Sequence, residues 1–111
     1  MKFKRKDTTL GRHYKDGETI IRKGDTGDCL YVIQKGKVEV LDDSGDKPKQ
    51  LAILGEREFF GEMGLFENDV RSATVRSLGE TKILTIDKKN FYKTIQKDPT
   101  IAYSLLERMS N

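Results

Sequence analysis

The residues whose types and spacing suit chemistry lie between Phe60 and Val75, in the run FGEMGLFENDVRSATV. Glu62, near its start, can accept hydrogen bonds from sugar hydroxyls. Arg71, near its end, carries a planar fork that matches two phosphate oxygens better than the point charge of a lysine. Gly61 and Gly64 lack a Cβ and let backbone N–H groups come within hydrogen-bonding distance of a ligand. Met63, Leu65 and Phe66 supply an apolar side that seats a short helical turn on a core, with its N-terminal N–H groups outward, and such a terminus favours an anion. Ser72 and Ala73 add a hydroxyl, further N–H groups and close access. Singly, these residues have plainer readings: Glu62 as a solvated first-turn acid complementing a helix dipole, Arg71 as a surface charge. It is the acid, the fork and the glycines together that make a nucleotide site in miniature, suited to binding and not to turnover.

The elements that must position this run are short strands between turn signals. Residues 19–22 and 29–34 favour β structure and are separated by a glycine-aspartate turn. Residues 37–42 alternate, with Val38 and Val40 prominent, and reach Ser44-Gly45-Asp46, a hairpin tip. Residues 51–54 return toward Gly55, and Phe59 leads into the candidate site. Residues 73–77 and 82–86 read as two more strands joined by a turn at Gly79. Many short strands with frequent glycine turns indicate a barrel or jelly roll. The period then changes. Asp87 suits a helix N-cap, with Phe91, Tyr92 and Ile95 at helical spacing behind it. Asp98-Pro99 restarts the pattern as an N-cap followed by proline at the first helical position, and Ile101, Ala102, Leu105, Leu106 and Met109 form an apolar stripe. The expected fold is mainly β with C-terminal α: an eight-stranded jelly-roll β-barrel, or β-roll, over residues 14–86, followed by short helices over 87–111 and preceded by a basic arm over 1–13.

Bulk properties exclude several classes. The chain has 111 residues, enough for one core and too few for two. Its net charge of +3 is too small to demand a nucleic-acid partner. The excess is partly local, in Lys2, Lys4, Arg5 and Lys6, an arm that reads either as a solvated terminus or as a contact for nucleic acid or acidic lipid. No stretch approaches the roughly twenty apolar residues of a membrane span, and the lysine-rich start lacks the apolar core of a secretory signal. One cysteine, Cys29, cannot form an internal disulfide; it reads as a packed residue, and the expected compartment is the cytoplasm. Catalysis has little support. His13 has no second histidine with which to build the metal cluster of a jelly-roll enzyme. The Asp25, Asp28 pair lacks the ligand alternation and the terminal bidentate glutamate of a calcium loop, and no Ser-His-acid or Cys-His arrangement is visible. The expectation is a non-enzyme with no cofactor and no metal.

The run 60–75 closely resembles the phosphate-binding cassette of cyclic nucleotide-binding domains, found in regulatory subunits of cAMP-dependent protein kinase, in cyclic nucleotide-gated channels and in bacterial catabolite activators. Upstream, Gly17, Glu18, Ile20, Gly24, Asp25, Gly27, Asp28, Leu30, Tyr31, Ile33, Gly36 and Val38 fall on that family's GE-x-I, GD-x-GD and LY-x-I-x-x-G-x-V pattern. The likeness covers the chain from Tyr14 onward. One departure is Val70, where many members have proline before the arginine.

The resemblance implies a β-roll with C-terminal helices and a cyclic nucleotide as ligand, cAMP first and cGMP as the alternative. It implies that Glu62 accepts from the ribose 2′-hydroxyl, that Arg71 holds the cyclic phosphate, and that Gly61, Gly64, Ser72 and Ala73 contribute backbone or hydroxyl contacts. Met63, Leu65, Val40 and Leu51 complete the expected site, the base resting near Val40, Leu51 and Met63. Ser72 has two readings, a hydrogen bond to the phosphate or one to the 2-amino group of a guanine. The stripe from Ile101 to Met109 likewise reads both as core packing and as a lid over the base that carries occupancy to an effector domain or partner protein. In the dimeric bacterial activators a DNA-binding helix-turn-helix follows, and none is expected in this chain. A second function stays open on the same fold: a non-nucleotide ligand module, or one for protein interaction or dimerisation.

Overall fold

A computed structural model describes residues 11–62, 69–100, 103 and 107. The strands are β1 (Arg12–Tyr14), β2 (Thr19–Ile21), β3 (Thr26–Gly27), β4 (Cys29–Asp42), β5 (Lys49–Leu54), β6 (Phe59–Phe60), β7 (Asp69–Val70) and β8 (Thr74–Asp87), followed by helix α1 (Lys88–Lys97). The fold is a mainly β jelly roll, and beyond these eight strands and α1 the described residues Pro99, Thr100, Tyr103 and Glu107 are also helical.

Two antiparallel strands of 14 residues, β4 and β8, form the spine. β1 and β2 pair with β8, β5 and β6 pair with β4, and β3 pairs with β7 in a separate two-stranded ribbon. Side chains on successive residues of a strand face opposite sides, and the spine buries both. The cross-strand pair Ile33 and Ile83 joins Tyr14, Ile21, Val38, Phe60 and Val75 in the interior of the roll. The pair Leu30 and Ile86, of the other parity, packs with Phe59 on the outer side, where Phe91 of α1 covers it.

The expected breaks at Gly36 and Gly79 are bends within continuous strands, which corrects the reading of residues 29–34 and 37–42, and of 73–77 and 82–86, as separate strands. The register slips between Ile33 and Lys37, where Lys35 pairs with Lys82 and Lys37 with Leu78. Gly36 and Gly79 take φ of +88° and +73° there, values that an L side chain strains to adopt. Ser77 and Thr81, both buried, share a hydroxyl contact of 3.0 Å, and Ser77 Oγ donates to Gly79 O at 2.6 Å. The sheet is thereby curved without losing its ladder, as bulges allow.

The hairpin tip after β4 and the cap before α1 lie where the sequence puts them. Asp87 accepts from Asn90 N–H at 2.8 Å, and Asp98 accepts from Thr100 N–H at 3.1 Å. The apolar stripe Ile101, Ala102, Leu105, Leu106, Met109 and residues 1–10 of the basic arm fall outside the described residues, while Arg12 and His13, placed in the arm by the sequence, pair with Ile83 and Lys82 as part of β1.

At the tip, Asp42 accepts from Ser44 Oγ at 2.6 Å, from Ser44 N–H at 3.1 Å and from Lys23 Nζ at 3.2 Å. These donors, Ser44 foremost, lower its carboxyl from 3.8 to about 2. A depressed carboxylate contributes stability that is present above pH 3.8 and is lost as pH falls toward 2. A carboxyl NMR titration is expected to give Asp42 a midpoint near 2, and Ser44→Ala to raise it toward 3.8. An unchanged midpoint in that variant would remove Ser44 as the main cause.

Candidate functional site

The ribbon of β3 and β7 decides where Arg71 goes. Thr26 pairs with Val70 and Gly27 with Asp69. The ladder then continues through loop residues, Arg71 N–H donating to Asp25 O at 2.7 Å and Gly24 N–H to Arg71 O at 2.8 Å. The glycine-aspartate turn, with Gly24 at φ +95°, thus grips the Arg71 backbone from both sides. A second clamp follows at the start of β8. Thr74 Oγ1 accepts from Lys23 N–H at 3.0 Å and donates to Asp43 at 3.0 Å, tying the exit of the site to the hairpin tip.

The Arg71 side chain is only 7% exposed. Its Nη1 donates to Gly61 O and its Nη2 to Cys29 O, each at 2.9 Å, and its Cζ lies 5.9 Å from the Tyr31 ring centroid. Tyr31 in turn stacks on Phe60 across the β4–β6 pair, with centroids 5.1 Å apart. Burial raises the Tyr31 hydroxyl above its ordinary range, so the ring beneath the guanidinium is neutral. Both bonds from Arg71 go to neutral carbonyls and use two of the five guanidinium N–H donors. The guanidinium is thereby oriented, and among the described residues no carboxylate pairs with it.

A cavity of about 200 Å³ opens at this point. Of the residues singled out in the sequence, the structure brings six together on its wall: Gly61, Glu62, Arg71, Ser72, Ala73 and Val40. Gly61 has φ +77°, and a Cβ there would stand 3.0 Å from Arg71 Nη1, so a close approach and a turn both require glycine. Met63, Gly64 and Leu65 lie outside the described residues.

Leu51 stands apart from the cavity wall, 53% exposed on edge strand β5. Leu54, which lines the cavity, is three positions away, so alternation along the strand turns Leu51 to the outward face with Ile53, 51% exposed. A bulge also falls here, since Val40 pairs with Ala52 and Leu41 with Gln50, which leaves Leu51 as the extra residue. Leu54 is the apolar residue that β5 supplies instead, and Ile21, Phe60 and Val75 join it. All four are missed by reading the sequence for polar chemistry. Their signal was their place in apolar strand runs beside the site.

A larger cavity of about 610 Å³ lies on the outer side of the spine, lined by Val32, Leu84, Phe59 and Arg57 among others. It shares no wall residue with the first. Among the described residues no cluster of three or more His, Cys, Asp or Glu converges to hold a metal, and no helix is long and apolar enough to cross a membrane.

This arrangement provides an oriented cation, an acid and a hydroxyl around an apolar floor. A family profile described as the cyclic nucleotide-binding domain matches residues 11–98. The chain belongs to that family. As a cyclic nucleotide-binding domain it is 34% identical over 95 residues to the cyclic AMP receptor protein of Thermus thermophilus, covering 85% of this chain and 44% of that protein. It is 39% identical over 83 residues to the cAMP-dependent protein kinase regulatory subunit of Dictyostelium discoideum, covering 71% of this chain and 25% of the other. The crystal structure of Thermus thermophilus catabolite activator protein superposes on it with a TM-score of 0.76 at 30% identity, over 99% of this chain and 54% of that one. The domain thus spans less than half the length of both relatives matched by sequence.

Proposed function

We propose that this chain is a cyclic nucleotide sensor, for cAMP first and cGMP as the alternative, that couples ligand occupancy to the position of its C-terminal helices. The observation that carries the reading is Arg71: a buried guanidinium held by two carbonyls beside a cavity that Glu62, Ser72 and Ala73 also line. In such a poorly solvated place a cation attracts an anion strongly, and the fork selects oxygens in a phosphate-like plane. Glu62 accepts from the ribose 2′-hydroxyl, and Ser72 and Ala73 close on the phosphate. The base lies on Val40 and Leu54. Walls of that kind contact adenine and guanine faces alike and discriminate weakly between them. The names of the two relatives, a cyclic AMP receptor and a cAMP-dependent kinase subunit, support cAMP as the ligand. The chemistry is binding, with no bond made or broken.

A route to the helices starts at the neighbouring residue. Phe60 borders the ligand cavity while Phe59 faces the outer cluster that Phe91 of α1 covers. A shift of the segment entering the site moves both faces of β6 and so the seat of α1. The helices then act on an effector domain or a partner protein.

Calorimetry and thermal unfolding with cAMP and cGMP test the reading. Ligand at a hundredfold over its dissociation constant is expected to add about 2.7 kcal/mol to folding stability, with a modest preference for cAMP. The 2′-deoxy analogue is expected to bind more weakly. The absence of both binding heat and thermal shift at millimolar cyclic nucleotide would refute the proposal.

A further inference from the structure

Gly27 is a glycine that its own backbone does not require. It has no positive φ, unlike Gly17, Gly24, Gly36, Gly61 and Gly79, and it sits in strand β3, paired with Asp69. A residue of any type adopts such a conformation. What surrounds it is more telling. A Cβ built at Gly27 would stand 2.3 Å from Arg71 Nη2, 2.6 Å from Nε and 2.7 Å from Cζ. All three nearest atoms belong to one guanidinium. At Gly17, Gly24, Gly45 and Gly79, by contrast, a Cβ meets nothing within 4 Å.

We propose that Gly27 is a positioning residue for the anion clamp, glycine standing there because the Arg71 guanidinium lies directly against its Cα. The inference rests on the reading of Arg71 as the group that holds the ligand's phosphate. The bed of the guanidinium then has three parts: the carbonyls of Gly61 and Cys29, the Tyr31 ring, and the bare backbone of Gly27. A methyl group at position 27 occupies the space of the guanidinium itself. The guanidinium is the far end of a flexible side chain, so it yields while the backbone stays, and it yields by giving up its bonds to Gly61 O and Cys29 O. The strand survives and the clamp is lost. The glycine-aspartate pattern of residues 24–28 accordingly does two separate jobs: Gly24 and Asp25 grip the Arg71 backbone, and Gly27 makes room for its side chain.

The test uses Gly27→Ala alone and combined with Arg71→Ala. For the single variant, cAMP affinity is expected to fall by about tenfold or more, the loss of a charged hydrogen bond. The Arg71 Nε–H resonance of the ligand-free protein is expected to move toward its unfolded position while the backbone amide spectrum stays dispersed. With Arg71 already alanine, adding Gly27→Ala is expected to leave the thermal midpoint unchanged. Wild-type affinity together with a wild-type Arg71 resonance in Gly27→Ala would overturn the inference. So would an equal drop in thermal midpoint in both backgrounds, which would assign Gly27 to the strand and not to Arg71. Should Arg71→Ala not fold, the resonance and affinity of the single variant decide. If the wild-type protein binds no cyclic nucleotide, the functional reading falls, and the resonance and the coupling of thermal midpoints still decide the placement of Gly27.

Discussion

Arg71→Lys is expected to fold and to bind cyclic nucleotide about 10- to 150-fold more weakly, a loss of roughly 1.5–3 kcal/mol for one charged hydrogen bond. A lysine keeps the charge, so long-range attraction for the phosphate persists. It cannot donate to Gly61 O, Cys29 O and a ligand in one plane as the fork does. The buried setting adds a second effect. With the fork gone, the two carbonyls at 2.9 Å lose a shared donor in a site that is 7% exposed, and unfolding stability is expected to drop as well, by about 1–3 kcal/mol. Calorimetry reads the first effect and urea unfolding the second. Wild-type affinity in Arg71→Lys would show that charge alone suffices and that the carbonyl-held geometry is irrelevant to binding.

Gly36→Ala is expected to cost about 2–5 kcal/mol, from left-handed strain of roughly 1–2 and overpacking of roughly 1–3. Gly36 has φ +88°, and a Cβ there would stand 2.5 Å from Glu80 O and 2.9 Å from Thr81 Cγ2. The first of these is backbone in the facing strand and cannot rotate aside. Gly79→Ala is the control. Its φ of +73° is similarly strained, but a Cβ there meets nothing within 4 Å, so only the conformational part remains, about 1–2 kcal/mol. Urea unfolding of the two variants separates strain from collision. Equal costs would mean that the strands part at the bend and that the close approach of Gly36 to Glu80 is not maintained in solution.

The comparison of these glycines shows how far the sequence reaches. That Gly36 and Gly79 punctuate the chain is legible, because glycine tolerates positive φ wherever it occurs. Whether the chain then turns back or merely bends is not. That choice depends on the partner strand: β4 and β8 pair on both sides of the bend, and Ser77 and Thr81 fasten it. Leu51 teaches the same lesson at smaller scale. Its apolar character and its strand were readable, whereas the outward face it shares with exposed Ile53, and the bulge against Val40 and Leu41, are set by the pairing of β5 with β4.

The caps at Asp87 and Asp98, the hairpin tip after Asp42, the mainly β class and the family pattern from Gly17 to Ala73 were all determined by the sequence itself. Each rests on local geometry, a side-chain oxygen reaching an N–H two or three residues on, or on residue types at short spacing. Tertiary structure alone decided which atoms surround Arg71. The carbonyls of Cys29 and Gly61 lie 42 and 10 residues away from it in the chain, and the Cα of Gly27 is further off in sequence than either. Only closure of the roll brings them together. A backbone carbonyl leaves no mark on residue type, so the bed of the clamp is written in the sequence only at Tyr31, as a ring, and at Gly27 and Gly61, as glycines whose reason is a side chain elsewhere.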